Sequence, residues 1–78
     1  MRKKTPQELL MKIYVNGKLR AAVKGPKNVY VIDLKEGQSV DYIIESEKIF
    51  MELDIFRNGK FQFYISPEGN PFCRRLDE

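Results

Sequence analysis

An Asn-Gly pair flanked by alternating apolar residues occurs twice in this chain, and it constrains the fold more than any other feature. Met11-Lys-Ile-Tyr-Val-Asn-Gly-Lys-Leu19 is echoed by Leu53-Asp-Ile-Phe-Arg-Asn-Gly-Lys-Phe61. Asparagine and glycine tolerate the positive φ of tight hairpin turns, and alternation places every second side chain on a common face. Both segments therefore predict antiparallel hairpins.

The apolar pattern also predicts their register. A two-residue Asn16-Gly17 loop would set Ile13 opposite Arg20, mixing an apolar face with a charged one. A three-residue loop, Val15-Asn16-Gly17, pairs Tyr14 with Lys18, Ile13 with Leu19 and Met11 with Ala21 instead. The same loop at Arg57-Asn58-Gly59 pairs Ile55 with Phe61, Leu53 with Phe63 and Met51 with Ile65, and Gly17 and Gly59 are then expected at positive φ. Lys35-Glu36-Gly37 predicts a third such turn, with Ile32 opposite Val40 and Tyr30 opposite Tyr42. A short turn at Glu47-Lys48 brings Val40, Tyr42 and Ile44 to Ile55, Leu53 and Met51.

The resulting expectation is an all-β fold, a small antiparallel barrel or sandwich of about six hairpin-connected strands near 11–15, 18–24, 28–34, 38–46, 49–57 and 60–66. Its core holds Met11, Ile13, Leu19, Val40, Tyr42, Leu53, Ile55, Phe61 and Phe63. Gly25-Pro26 turns a corner between sheets. Thr5-Pro6-Gln7-Glu8 reads as a helix start, so a short helical turn precedes the first strand. An alternative for 39–48 is a helix capped by Ser39 with Val40, Ile43 and Ile44 on one side. The organisation reads as a basic arm over 1–8, a β domain over 9–66, and a turn and tail over 67–78, in which Phe72 to Leu76 add a short edge strand.

Composition narrows the chemistry. The 78 residues include no His and one Cys, which rules out a Cys/His zinc site or an imidazole triad within one chain. The Gly-rich phosphate loop and Gly-x-Gly-x-x-Gly are missing. No enzyme activity, cofactor or metal is expected. There is no apolar run of membrane-spanning length or signal-peptide core, and with the lone Cys73 this predicts a cytoplasmic protein with no membrane association. Arg74 and Arg75 beside Cys73 would favour thiolate, but without a base or a second cysteine the residue reads as an inert small side chain.

Two short resemblances follow from these segments. Met11 to Lys18 resembles the opening strand and turn of the small sulfur-carrier proteins with a β-grasp fold. Those carriers act through a C-terminal Gly-Gly, where this chain has Leu76-Asp77-Glu78, so their function is not carried over. Gly59-Lys60-Phe61-Gln62-Phe63 is similar to the aromatic strand motif of cold-shock and related RNA-binding domains, whose exposed rings stack on bases. Here the register assigns Phe61 and Phe63 to the core, and Gln62 stands where a small residue is expected.

Charge is divided along the chain. Residues 1–27 hold eight basic side chains against Glu8 alone, whereas residues 28–78 hold six basic and ten acidic ones. Arg2, Lys3, Lys4, Lys12, Tyr14, Lys18, Arg20 and Lys24 form the expected site for nucleic acid or another polyanion, with Lys12 opposite Arg20 on the outer hairpin face. The alternative is a protein-interaction or regulatory subunit, including a homodimer, acting through an aromatic-acidic face that carries Phe50, Phe56 and Tyr64. In that face, Leu9, Leu10, Phe72 or Leu76 could cover the rings.

Overall fold

In a computed structural model of the protein, residues 9–25 and 27–76 are described. They form seven strands: β1 (Leu10–Val15), β2 (Lys18–Lys24), β3 (Val29–Leu34), β4 (Ser39–Ile44), β5 (Ile49–Asp54), β6 (Gly59–Ile65) and β7 (Pro71–Arg75). All pairings are antiparallel, in a four-stranded sheet ordered β2-β1-β4-β5 and a three-stranded sheet ordered β3-β6-β7. The fold is all-β with two sheets over one core; the strands do not close into a barrel. The Thr5–Glu8 helix start and the arm over 1–8 lie outside the described residues.

Alternation explains the core. Met11, Ile13 and Val15 of β1, Val40, Tyr42 and Ile44 of β4, and Phe61, Phe63 and Ile65 of β6 are buried at every second position. The sheets meet where Tyr42 packs edge-on against Phe63, ring centroids 5.4 Å apart. Leu9 is buried at the start of β1, where its carbonyl accepts the Gly25 N–H at 2.9 Å. Phe61 and Phe63 are core residues as expected, although the register that assigned them there is not the one observed.

The first hairpin departs from expectation. Its loop is the two-residue Asn16-Gly17, both at positive φ (52° and 83°), with Val15 opposite Lys18 and Tyr14 opposite Leu19. The mismatch that argued against this loop is removed by a bulge: Arg20 is an extra residue, after which Ile13 faces Ala21 and Met11 faces Val23. Lys12 consequently lies opposite Ala22 and not Arg20. Leu19 falls before the bulge and is 58% exposed, so it is not a core residue.

Two other expected hairpins are absent. β3 pairs with β6, setting Ile32 against Phe61 and Tyr30 against Phe63, and the Lys35–Gly37 turn links the two sheets. Likewise Arg57-Asn58-Gly59 links β5 to β6 without pairing them, and Gly59 is not at positive φ. The reason is competition. Ile55 donates to the Gln38 carbonyl at 3.0 Å and accepts from Gly37 at 2.9 Å, which holds the end of β5 beside β4.

The β4–β5 hairpin is as expected in kind, with partners two residues earlier on β5: Val40 faces Leu53, Tyr42 faces Met51 and Ile44 faces Ile49. The helix alternative over 39–48 is replaced by strand and a 3-10 turn over Glu45–Glu47, closed by Lys48 at φ 56°. Leu53 packs against the core but is only half-buried, because β5 is an edge strand that the second sheet covers less than β2 and β4.

Candidate functional site

Strand β2 carries more basic residues than any other described strand. Lys18, Arg20 and Lys24 are all exposed along this edge strand, which contains no acidic residue. At roughly 3.3 Å per residue, Lys18 and Lys24 stand about 20 Å apart. The bulge and the turn spread them over the strand edge, so they do not form the single outer face expected from the sequence. Lys18 is opposite inward-facing Val15 but lies beyond the core, and Lys24 is opposite Leu10. Arg2, Lys3 and Lys4 lie outside the described residues.

Lys12 points outward from β1 and is drawn toward acid. Its Nζ lies 3.4 Å from Glu45 Oε1, and both side chains are partly exposed. Tyr14 lies between Leu19 on β2 and Asp41 on β4. Across the four-stranded sheet the outer face thus passes from Lys24 on β2 and Lys12 on β1 to Asp41 on β4 and the exposed Glu52 and Asp54 on β5.

The three rings of the aromatic alternative do not share a face. Phe50 projects from the outer face of the four-stranded sheet, opposite Ile43, and is 67% exposed. Tyr64 lies on the outer face of the other sheet, stacked on Phe72 with centroids 5.6 Å apart, so one of the anticipated tail residues does cover it. Phe56 stands in the loop after β5 and is 82% exposed. The expected face assumed a β5–β6 hairpin, and without that pairing its two halves separate.

Cys73 points inward, opposite Phe63, and burial pushes its thiol up to about 11, against the thiolate that its sequence neighbours would favour. Burial first, and then the charge of Cys73, raise the Tyr42 hydroxyl.

Arg75 has a role that its position in the chain did not signal. Its guanidinium lies over the Phe61 ring, 5.0 Å from the centroid, and its Nη2 donates to the Asn58 carbonyl. A Cβ on Gly59 would enter the space of that guanidinium, so a larger residue there would oblige the flexible Arg75 side chain to move. This glycine is the one sequence trace of the contact.

An open depression of about 340 Å³ lies between Asp33–Lys35 and Asn58–Lys60, and another of about 320 Å³ lies beside Phe50 and Glu52. Among the described residues no three His, Cys, Asp or Glu side chains are arranged to hold a metal, and no helix is long and apolar enough to cross a membrane. No protein-family model, curated protein or solved structure matches the chain.

Proposed function

We propose that the protein is a non-catalytic cytoplasmic module that binds an anionic partner, nucleic acid foremost, through the basic β1–β2 hairpin. The supporting observation is the segregation of charge: Lys18, Arg20 and Lys24 are exposed on one edge strand without an intervening acid. Cations spaced in this way can neutralise successive phosphates and release their counterions. Tyr14 offers a neighbouring ring for stacking, and the basic arm of Arg2, Lys3 and Lys4 extends the same charge.

Titration with short duplex DNA, single-stranded RNA and heparin over a range of salt tests this reading. Replacing Lys18, Arg20 and Lys24 by Ala should reduce the steepness of log K against log salt on duplex by about 2.7, at about 0.9 per phosphate. Glu45→Gln should release Lys12 and steepen it by about 0.9. A salt slope indifferent to the triple substitution would overturn the assignment.

A second reading, a protein-interaction subunit, is favoured by β5, where Phe50 and Met51 are exposed beside Glu52 and Asp54. Amide shifts confined to β5 on addition of polyanion, with none on β2, would move the assignment there.

A further inference from the structure

We infer that the protein associates head to tail with further copies of itself, the β2 edge of one molecule adding to the β5 edge of the next. The four-stranded sheet would then continue from copy to copy. The contact would use the same β2 cations as the polyanion reading but does not rest on it, and four features of the sheet support it.

The first feature is open hydrogen-bonding capacity. β2 and β5 are the two edges of one sheet, and among the described residues neither has a second strand partner. Such edges are templates for another strand unless something blocks them. On β2 the bulge at Arg20 lies toward the turn and leaves Ala21–Lys24 regular; β5 pairs regularly along its whole length.

The second is strand parity. Four alternating strands leave the outermost pair antiparallel to each other. A copy translated along the sheet therefore presents its β2 antiparallel to the preceding β5, and the alternation continues unbroken. Each copy would advance the assembly by about 19 Å, four inter-strand spacings.

The third is charge. A two-fold contact between β2 edges would oppose Lys18, Arg20 and Lys24 to themselves, and one between β5 edges would oppose Glu52 and Asp54 to themselves. Like charges facing across a strand pair are unfavourable. Joining β2 to β5 opposes unlike charges, which selects the heterologous contact over either symmetric one. A register that keeps inward residues together sets Val23 beside Leu53 and Lys24 beside Glu52.

The fourth is incomplete cover. The three-stranded sheet covers β2 and β4 better than β5, whose inward Met51 is 42% exposed and whose Ile49 and Leu53 pack against the core only half-buried. A following copy brings its own second layer to that overhang.

Sedimentation of the full chain from micromolar to millimolar concentration is the test. The average mass should rise with concentration past that of a dimer. It should fall when salt is raised from about 0.1 M to about 1 M, which shortens screening from about 10 Å to about 3 Å. Arg20→Glu with Lys24→Glu makes both edges acidic, and Glu52→Lys with Asp54→Lys makes both basic; each variant alone should be monomeric. Their equimolar mixture should associate again, because only then do unlike edges meet. The β5 variant should retain polyanion binding, which separates failure of this contact from failure of the proposed function. If either variant loses its dispersed amide spectrum, the neutral changes Arg20→Gln with Lys24→Gln, or Glu52→Gln with Asp54→Asn, replace it, each weakening association about tenfold. A wild type that is monomeric throughout, a discrete dimer at every concentration, variants that still associate alone, or a mixture that stays monomeric would each overturn the inference.

Discussion

At the scale of single residues, position in the two layers decides what a side chain contributes. Phe63 is fully buried at the centre of β6 and meets Tyr42 across the core, so Phe63→Ala should cost about 3–5 kcal/mol. Leu53 belongs to the same alternating pattern but sits on the overhanging β5, half-buried. Leu53→Ala should therefore cost less than about 2 kcal/mol, below the usual range for a buried leucine. Denaturant midpoints for the two variants check the ranking; equal losses would mean that the second layer does reach β5. Cys73 gives a pH-dependent counterpart. Its thiol rises from the ordinary 9.0 to about 11 because it is buried, and the unfolded chain therefore loses that proton first. The stabilisation is full below pH 9 and disappears as pH rises through about 11. Tyr42, raised for the same first reason, adds to the alkaline fall. Cys73→Ala should flatten the decline over that window, measured as denaturant midpoint against pH, whereas an unchanged slope would leave Tyr42 as its source.

Among the elements, the two Asn-Gly segments have different turns and one shared task. Asn16 accepts the Ser39 N–H through Oδ1 at 2.9 Å, and Asn58 accepts the Glu36 N–H through Oδ1 at 2.8 Å. Both amides thus hold the Lys35–Ser39 connection between β3 and β4, one from each side. Asn16→Ala and Asn58→Ala should each cost about 0.5–1.5 kcal/mol, while Asp at either position keeps the acceptor and should cost less. Thermal unfolding of the four variants distinguishes a clasp from a turn requirement. At Asn16, φ of 52° adds a backbone cost for Ala that Asn58 lacks. The strands themselves were legible from the sequence, since burial at every second position writes itself as alternation. Strand pairing was less so, because a turn signal fixes local geometry while partners are settled by distant competition, as between Gln38 and Phe61 for Ile55 at the end of β5. The same limit applied to the candidate site. Lys18, Arg20 and Lys24 stay on one strand edge because they share one strand, but Phe50 and Tyr64 could be joined only through a hairpin that does not form.

For the whole molecule, the chain path binds the two sheets into one folding unit. It changes sheet at β2 to β3, at β3 to β4 and at β5 to β6, so neither sheet is complete until nearly all strands are placed. β1 must wait for β4, and β3 for β6. Partial structures leave long rows of unpaired backbone and half of the shared core exposed, which makes them poor stopping points. Unfolding should therefore be a single transition, with tyrosine fluorescence and far-ultraviolet dichroism coinciding, and folding should take milliseconds to seconds, as is usual for non-local β pairings. Native-state hydrogen exchange resolves the remaining heterogeneity. Amides of β1, β4 and β6, each flanked by two strands, should exchange only through global unfolding. Outward amides of β2 and β5, like those of β3 and β7 at the edges of the other sheet, should exchange faster in dilute solution. Repeating the measurement at high concentration should slow both edges together if they meet head to tail. Slowing at β2 alone would instead indicate a symmetric contact that its charges oppose, and two separable unfolding transitions would show that the sheets are not interlocked as their topology requires.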